Sequence, residues 1–239
     1  MGSQFDSNLK RLLIRSLYNN GGDSIFFNDT QGDDHDKVYG LFLCRGDVPA
    51  SVCQNCIDMA SNEIVKDCPF KKAASIWYDE CLIRYSYRSF FSKVDSQVRV
   101  CLVNTENITE FEPDKFNEIL GKTFSNLSIV ATSNPSNCMY ATSKANVTSS
   151  MRLYSMVQCT HDLSPFDCRN CLSDATLYLS SISKGKMVWR VLVPSCNISS
   201  TPSCETCQLQ HNLLTMATMV AEAVLESQNL STQALPELG

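Results

Sequence analysis

The sequence predicts an α+β protein made of two tandem disulfide-stapled modules, each with two helices packed on an antiparallel sheet. Three observations carry this. The spacing Cys44-x8-Cys53-x2-Cys56 recurs 115 residues later as Cys159-x8-Cys168-x2-Cys171, and each copy places another cysteine 25 positions on, at Cys81 and Cys196. Each copy also runs in the same order through a helical stripe, a short apolar segment, a second helical stripe and an aromatic or apolar strand. The chain has 239 residues and 44% hydrophobic content, enough for two cores in modules of about 100 residues each.

In the first copy Leu9, Leu12, Leu13, Ser16 and Leu17 share one helical face, and Asn19-Asn20-Gly21-Gly22 stops it. Ile25-Phe26-Phe27 reads as a short strand, and Asn28 to Lys37 as a polar loop. Val38 to Leu43 is short, apolar and aromatic-rich, a buried strand that delivers Cys44. Pro49 opens a helix to about Lys66, with Asp47 near its cap. Cys53, Cys56, Ile57, Ala60 and Ile64 fall on one stripe of that helix, so its sulfurs face inward. Ile76 to Phe91 alternates and is rich in Trp, Tyr, Ile and Phe, which suits one long strand or a hairpin.

The second copy repeats this plan. Phe116, Ile119, Leu120 and Phe124 mark its first helix, Tyr154 to Cys159 its strand, Pro165 to about Leu179 its second helix, and Met187 to Val193 the next strand. Ser133-Asn134-Pro135-Ser136-Asn137 reads as a loop. The expected division is a first module at 1–92, a connection at 93–114, a second module at 115–200, and a C-terminal helix or tail at 201–239. Leu209, Leu213, Met216, Val220 and Val224 give that last segment helical spacing.

The net charge is −5 and no Lys/Arg run exceeds Lys71-Lys72, so no concentrated basic face is offered to nucleic acid. Thirteen cysteines indicate an oxidising compartment. Asn-x-Ser/Thr sequons at Asn28, Asn107, Asn126, Asn146, Asn197 and Asn229 exceed the roughly three that chance gives, consistent with a glycosylated surface. Together these signals point to the secretory pathway. Met1-Gly-Ser-Gln-Phe-Asp-Ser has no apolar core, so no leader peptide is expected in this chain. No transmembrane segment is expected either, because Leu213 to Ala221 is only nine residues long before Glu222.

Three chemistries compete for the cysteines. Cys53/Cys56, Cys168/Cys171 and Cys204/Cys207 have zinc-type spacing, but two of these pairs lie on predicted helices and the chain holds only His35, His161 and His211. A redox or nucleophilic thiol needs an activating neighbour. Only His161 is close in sequence to a repeated thiol, and Gly46 replaces it in the other copy, so His161 reads as a surface residue. Structural disulfides are the third option: spacing allows Cys44–Cys53, Cys56–Cys81, Cys159–Cys168 and Cys171–Cys196, although spacing alone does not fix the connectivity.

The segments Tyr39-Gly-Leu-Phe-Leu-Cys-Arg-Gly-Asp47, Cys53-Gln-Asn-Cys56, Cys68-Pro69 and Trp77-Tyr-Asp-Glu-Cys-Leu-Ile-Arg-Tyr-Ser86 resemble the ginkbilobin-homologous, or stress-antifungal, domain of plants. Val157-Gln-Cys-Thr-His-Asp-Leu-Ser-Pro165, Cys168-Arg-Asn-Cys171 and Arg190-Val-Leu-Val-Pro-Ser-Cys-Asn197 carry the same resemblance in the second copy. Tandem domains of this kind occur in cysteine-rich repeat secretory proteins, cysteine-rich receptor-like kinases and plasmodesmata-located proteins. The resemblance implies an α+β fold and the four disulfides named above. It also implies a third bridge to Cys68 from a cysteine lying upstream of Met1, hence a truncated N-terminus. Ser183 stands at the matching place in the second copy, so that bridge is absent there. Cys101–Cys138 is an expected extra pair, and Cys204 and Cys207 pair together or with another chain.

The resemblance further implies a mannose site built from an Asn, an Arg and a Glu. Carried over by position, the Arg site is Ser75 and Arg190, and the Glu site is Ser86 and Thr201. Arg190 is thus the one glycan-binding candidate; read by itself it is a strand-surface charge. Trp77 and Trp189 read as core or sheet-face residues, and Asp33, Asp34, His35 and Asp36 as a solvated acidic loop. No catalytic residue, metal ligand or cofactor is assigned. The expected function is non-catalytic recognition in plant stress or defence signalling, secreted to the apoplast or at the cell surface, with an antifungal lectin-like role as the alternative. The expected partner is an extracellular protein or glycan, and association with a further chain through the module faces or a free thiol is open.

Overall fold

The structure is a computed structural model that describes residues 3–103, 112–133, 138–147, 151–182, 189–204 and 218–220. Helix α1 runs through Gln4–Arg11, a π-helical stretch Leu12–Leu17 and Tyr18–Asn20. Ser3 and Asp6 form a capping box at its start, which satisfies two of the amide donors that a helix N-terminus leaves open. The expected stripe is buried: Leu9, Leu12, Leu13 and Leu17 all lie in the first core, joined by Phe5. Strand β1 spans Phe26–Gln31, β2 Val38–Cys44, helix α2 Ala50–Asp67, β3 Ala73–Trp77 and β4 Cys81–Ser86. Alternation from Ile76 onward therefore resolves into a hairpin, β3–β4.

The polar stretch after Phe27 is not the loop expected. Asn28 to Gln31 continue β1, each paired with a residue of β2, because the edge of a sheet needs only ladder bonds and accepts polar side chains. The tight return to β2 uses Gly32 at φ +87°, where a β-carbon would lie 2.1 Å from Asn8 Nδ2. Asn8, buried in α1, donates to the Asp36 carbonyl at 2.8 Å and anchors that loop.

In the second module β5 is Val100–Val103, α3 Pro113–Ser133, β6 Tyr140–Asn146, β7 Met151–Cys159, α4 Pro165–Ile182, β8 Trp189–Leu192 and β9 Cys196–Cys204. The expected connection 93–114 thus contains a strand, β5, which pairs with β8 at the edge of the second sheet. Strand β9 continues past residue 200 along β7 to Cys204. Within the segment expected as a C-terminal helix or tail, Thr218–Val220 form a strand, β10, which pairs antiparallel with β3. The two sheets run β1-β2-β4-β3-β10 and β5-β8-β9-β7-β6, every neighbouring pair antiparallel.

Each sheet has one face under its two helices. In β2, Val38, Phe42 and Cys44 point toward α1 and α2, while Leu41 and Leu43 point the other way, as the two-residue period of a strand requires. Sulfur locks each layer pair. Cys44, ending β2, is joined to Cys53 in α2 with Cα atoms 5.6 Å apart, and Cys56 is joined to Cys81, opening β4, at 6.0 Å. The second module repeats both: Cys159–Cys168 at 5.8 Å and Cys171–Cys196 at 6.1 Å. Spacing conserved in sequence is therefore geometry conserved in space.

A third core joins the modules. Leu41, Leu43, Trp77, Leu82 and Phe90 of the first pack with Leu192 of the second, and Val100 and Leu102 pack against this cluster. The sheet faces turned away from the helices are thus used against each other, sheet to sheet. Contacts repeat in both directions. A β-carbon on Gly46 would lie 2.5 Å from Tyr140 Cγ, and His161, 115 positions after Gly46, stacks on Phe26 with ring centroids 5.1 Å apart. Phe26 pairs with Leu43 and Tyr140 with Gln158, again 115 apart, so the two modules meet as the halves of an approximate twofold.

Candidate functional site

Arg190 and His161, both singled out from sequence, lie where the two sheets meet, among polar contacts that join the modules. Gln158 of β7 donates to the Cys44 carbonyl at 2.9 Å, binding one module's strand end to the other's sheet. The Ser92 amide donates to Asp162 at 2.7 Å and the Asp95 amide to the Ser195 hydroxyl at 2.8 Å. Arg84, 5% exposed, pairs with Asp95 and lies 4.2 Å from the centre of the Phe90 ring.

Arg190 projects from β8 into this seam. Its guanidinium donates to the carboxylate of Asp79, in the turn between β3 and β4 of the first module. This corrects the reading of Arg190 as a strand-surface charge. The cavity beside it is lined by Arg45, Trp77, Gln158 and Asn197 among others and measures about 30 Å³, room for a water or two and not for a hexose. Ser75, matched to the same family position, is buried and carries no charge. Thr201, matched to the Glu site, pairs with Tyr154 along the strand ladder, and Ser86 with Tyr39. In neither copy do the matched positions pair an Arg with a Glu: Ser75 stands with Ser86, and Arg190 with Thr201.

His161 is also corrected. It is no free surface residue: its ring stacks on Phe26 and its Nε2 is buried without a partner. Burial pushes its pKa below 6.5, outweighing a hydrogen bond to the Cys138 backbone and the nearby Asp162 carboxylate, which both act upward. Tyr140, across the seam beside Gly46, has its hydroxyl pushed up to about 12, first by burial and then by Asp47. Asp79, Gln158 and the Phe26–His161 stack were missed from sequence because each depends on a partner in the other module. Their signal was present only in the 115-residue offset.

The sulfur sites resolve as staples. All eight repeated cysteines are bonded in four disulfides, so the repeated Cys-x2-Cys pairs hold no zinc. Among the described residues no three His, Cys, Asp or Glu side chains cluster to hold a metal ion. The expected Cys101–Cys138 bridge does not form. Cys68 is buried and Cys101 half-buried, and burial pushes both thiols up, away from the thiolate a nucleophile needs. Cys204 ends β9 opposite Met151, and Cys207 lies outside the described residues. Of the sequons, Asn126 on α3 and Asn146 at the end of β6 are exposed, Asn28 and Asn197 are half-buried, and Asn107 and Asn229 lie outside the described residues. The acidic loop holds a short 3-10 turn, Asp34–Asp36, with no buried residue.

Comparison with known proteins agrees with this geometry. The family described as salt stress response/antifungal matches residues 1–88 and again 100–210. Cysteine-rich receptor-like protein kinase 25 of Arabidopsis thaliana is 40% identical over 198 residues, which cover 82% of this chain and 29% of that protein. An antimicrobial ginkbilobin-2-like protein of Castanea crenata is 40% identical over 167 residues, 70% of this chain and 68% of that protein. The crystal structure of the tandem DUF26 ectodomain from the Arabidopsis thaliana cysteine-rich receptor-like protein PDLP8 aligns at 25% identity with a TM-score of 0.71, covering 84% of this chain and 91% of that one. The chain spans less than a third of the receptor-kinase relative's length. No helix among the described residues is long and apolar enough to cross a membrane.

Proposed function

Because the chain belongs to the salt stress response/antifungal family, with two domains in tandem, we propose that it is a non-catalytic extracellular recognition protein of plant stress or defence signalling. It acts in the apoplast or as the outer part of a cell-surface receptor, with an extracellular protein or glycan as partner. The observation that carries this reading is the seam between the modules. The free sheet faces pack on each other through β2, β3, β4, β5 and β8, and the eight repeated sulfurs are spent on staples, so the tandem is a preorganised body whose outer surface does the recognising.

The lectin-like alternative has Arg190 as its matched residue. Arg190 is held by Asp79 beside a cavity of about 30 Å³, which favours a positioning role between modules over a sugar contact. The exposed sequons at Asn126 and Asn146 fit glycan attachment on the outer surface. Tagging the protein at its own locus and fractionating leaf tissue tests the reading. Recovery from apoplastic fluid or the outer face of the plasma membrane is expected; recovery from the cytosol with reduced cysteines would overturn it.

A further inference from the structure

The turn between α2 and β3 holds Phe70, which is 94% exposed and adopts φ +62°. This is the left-handed region, where a residue carrying a bulky side chain is strained and glycine is not. At the matching place in the other copy, 115 residues on, the sequence has Gly185. Neither burial nor backbone preference therefore accounts for the ring at residue 70.

Its surroundings are cationic. Lys71, Lys72 and Arg88 are all exposed. The Tyr87 amide donates to the Lys72 carbonyl at 2.9 Å, which brings the entry to β3 and the exit of β4 together at one end of the sheet. Lys72 Nζ lies 5.8 Å and Arg88 Cζ 4.9 Å from the centre of the Tyr87 ring. Lys71 and Lys72 follow the bare Phe70 ring directly in the chain, and Lys72 shares the Tyr87 ring with Arg88, so three cations gather at this end of the sheet in a chain whose net charge is −5; Asp67, at the end of α2, is the acidic residue closest in sequence.

We propose that this knuckle binds an acidic polysaccharide: the Phe70 ring stacks on the C–H face of a uronic-acid residue while Lys71, Lys72 and Arg88 pair with carboxylates along the polymer. The occupant follows from charge and shape. A neutral glycan would leave three cations unused. One ring offers too little apolar surface to hold a bilayer, where stable anchoring takes more than one signal. The inference rests on the extracellular reading, since it names a ligand met outside the cell.

Retention of the glycosylated, disulfide-bonded protein on immobilised polygalacturonate, beside neutral mannan and phosphatidylserine vesicles, tests it. Salt-sensitive binding to polygalacturonate alone is expected. Phe70→Gly should weaken it by about three- to tenfold while leaving Tm equal or higher, because glycine relieves the backbone. Combined Lys71→Glu and Lys72→Glu should abolish it. Absent retention, retention only on vesicles, or retention unchanged by Phe70→Gly would each overturn the proposal. None of those results would alter recovery of the protein from apoplastic fluid, whereas a cytosolic location would remove both readings.

Discussion

Arg190 of the second module is ion-paired with Asp79 of the first, 111 positions away in the chain. The pair gives the Arg190 guanidinium a partner across the seam, so that it bridges the two modules. With side chains 26% and 33% exposed, the pair is worth no more than about 1 kcal/mol. Arg190→Ala should therefore lower unfolding stability by about that much in urea titration and leave mannan binding unchanged. Mannan binding that disappears with Arg190 would restore the lectin reading.

Arg84 and Asp95 present the costly version of the same device. Arg84 is 5% exposed with its Nε unpartnered, and among the described residues Asp95 supplies its counter-charge beside the Phe90 ring. Asp95→Ala should destabilise by about 3 kcal/mol, because a buried cation loses its partner. Arg84→Met combined with Asp95→Leu should recover most of that loss. Equal losses from the single and the paired replacement would contradict this assignment.

Buried in the seam, His161 should make stability depend on pH. Its pKa is lowered in the folded state below the ordinary 6.5, so the unfolded chain takes up the proton first as pH falls. The contribution of neutral His161 is fully present above pH 6.5 and is lost progressively as pH drops from there toward the folded value. The groups that face the ring are Phe26, Asp162 and the Cys138 backbone. Melting curves between pH 7.5 and 5 should show a decline that His161→Phe reduces. An unchanged slope in that variant would rule the stack out as its source.

The staples should differ in worth. Cys171–Cys196 closes a sequence separation of 25 and Cys159–Cys168 one of 9. Loop-closure entropy makes the longer bridge more stabilising by about 1 kcal/mol. Paired Cys→Ser replacements, compared by urea unfolding, should show Cys171/Cys196 costing more than Cys159/Cys168, with the same order in the first module. The reverse order in both modules would show that native strain, not chain entropy, decides.

What could be read from the sequence was what is local. Cys53, Cys56, Ile57, Ala60 and Ile64 announce an inward helical stripe because their spacing is set within one helix, and that stripe is buried. Asn28 to Gln31 gave no such sign: polar residues at a sheet edge are held by ladder bonds to β2, and Asp29 by side-chain bonds from Ser16 and Gln31. β5, the far end of β9 and β10 were hidden because their partners lie far away in the chain. The seam was hidden for a related reason. Leu41 and Leu43 read as core residues of one module, but the alternation that points them away from α2 becomes informative only once a second sheet is there to meet them.

Eight sulfurs brace helix against strand in duplicate. Peptide mapping under non-reducing conditions, on protein taken from a secretory host, tests it most directly. Cross-linked peptides joining Cys44 to Cys53, Cys56 to Cys81, Cys159 to Cys168 and Cys171 to Cys196 are expected. Alkylation of those thiols without prior reduction, or any other pairing among them, would contradict it.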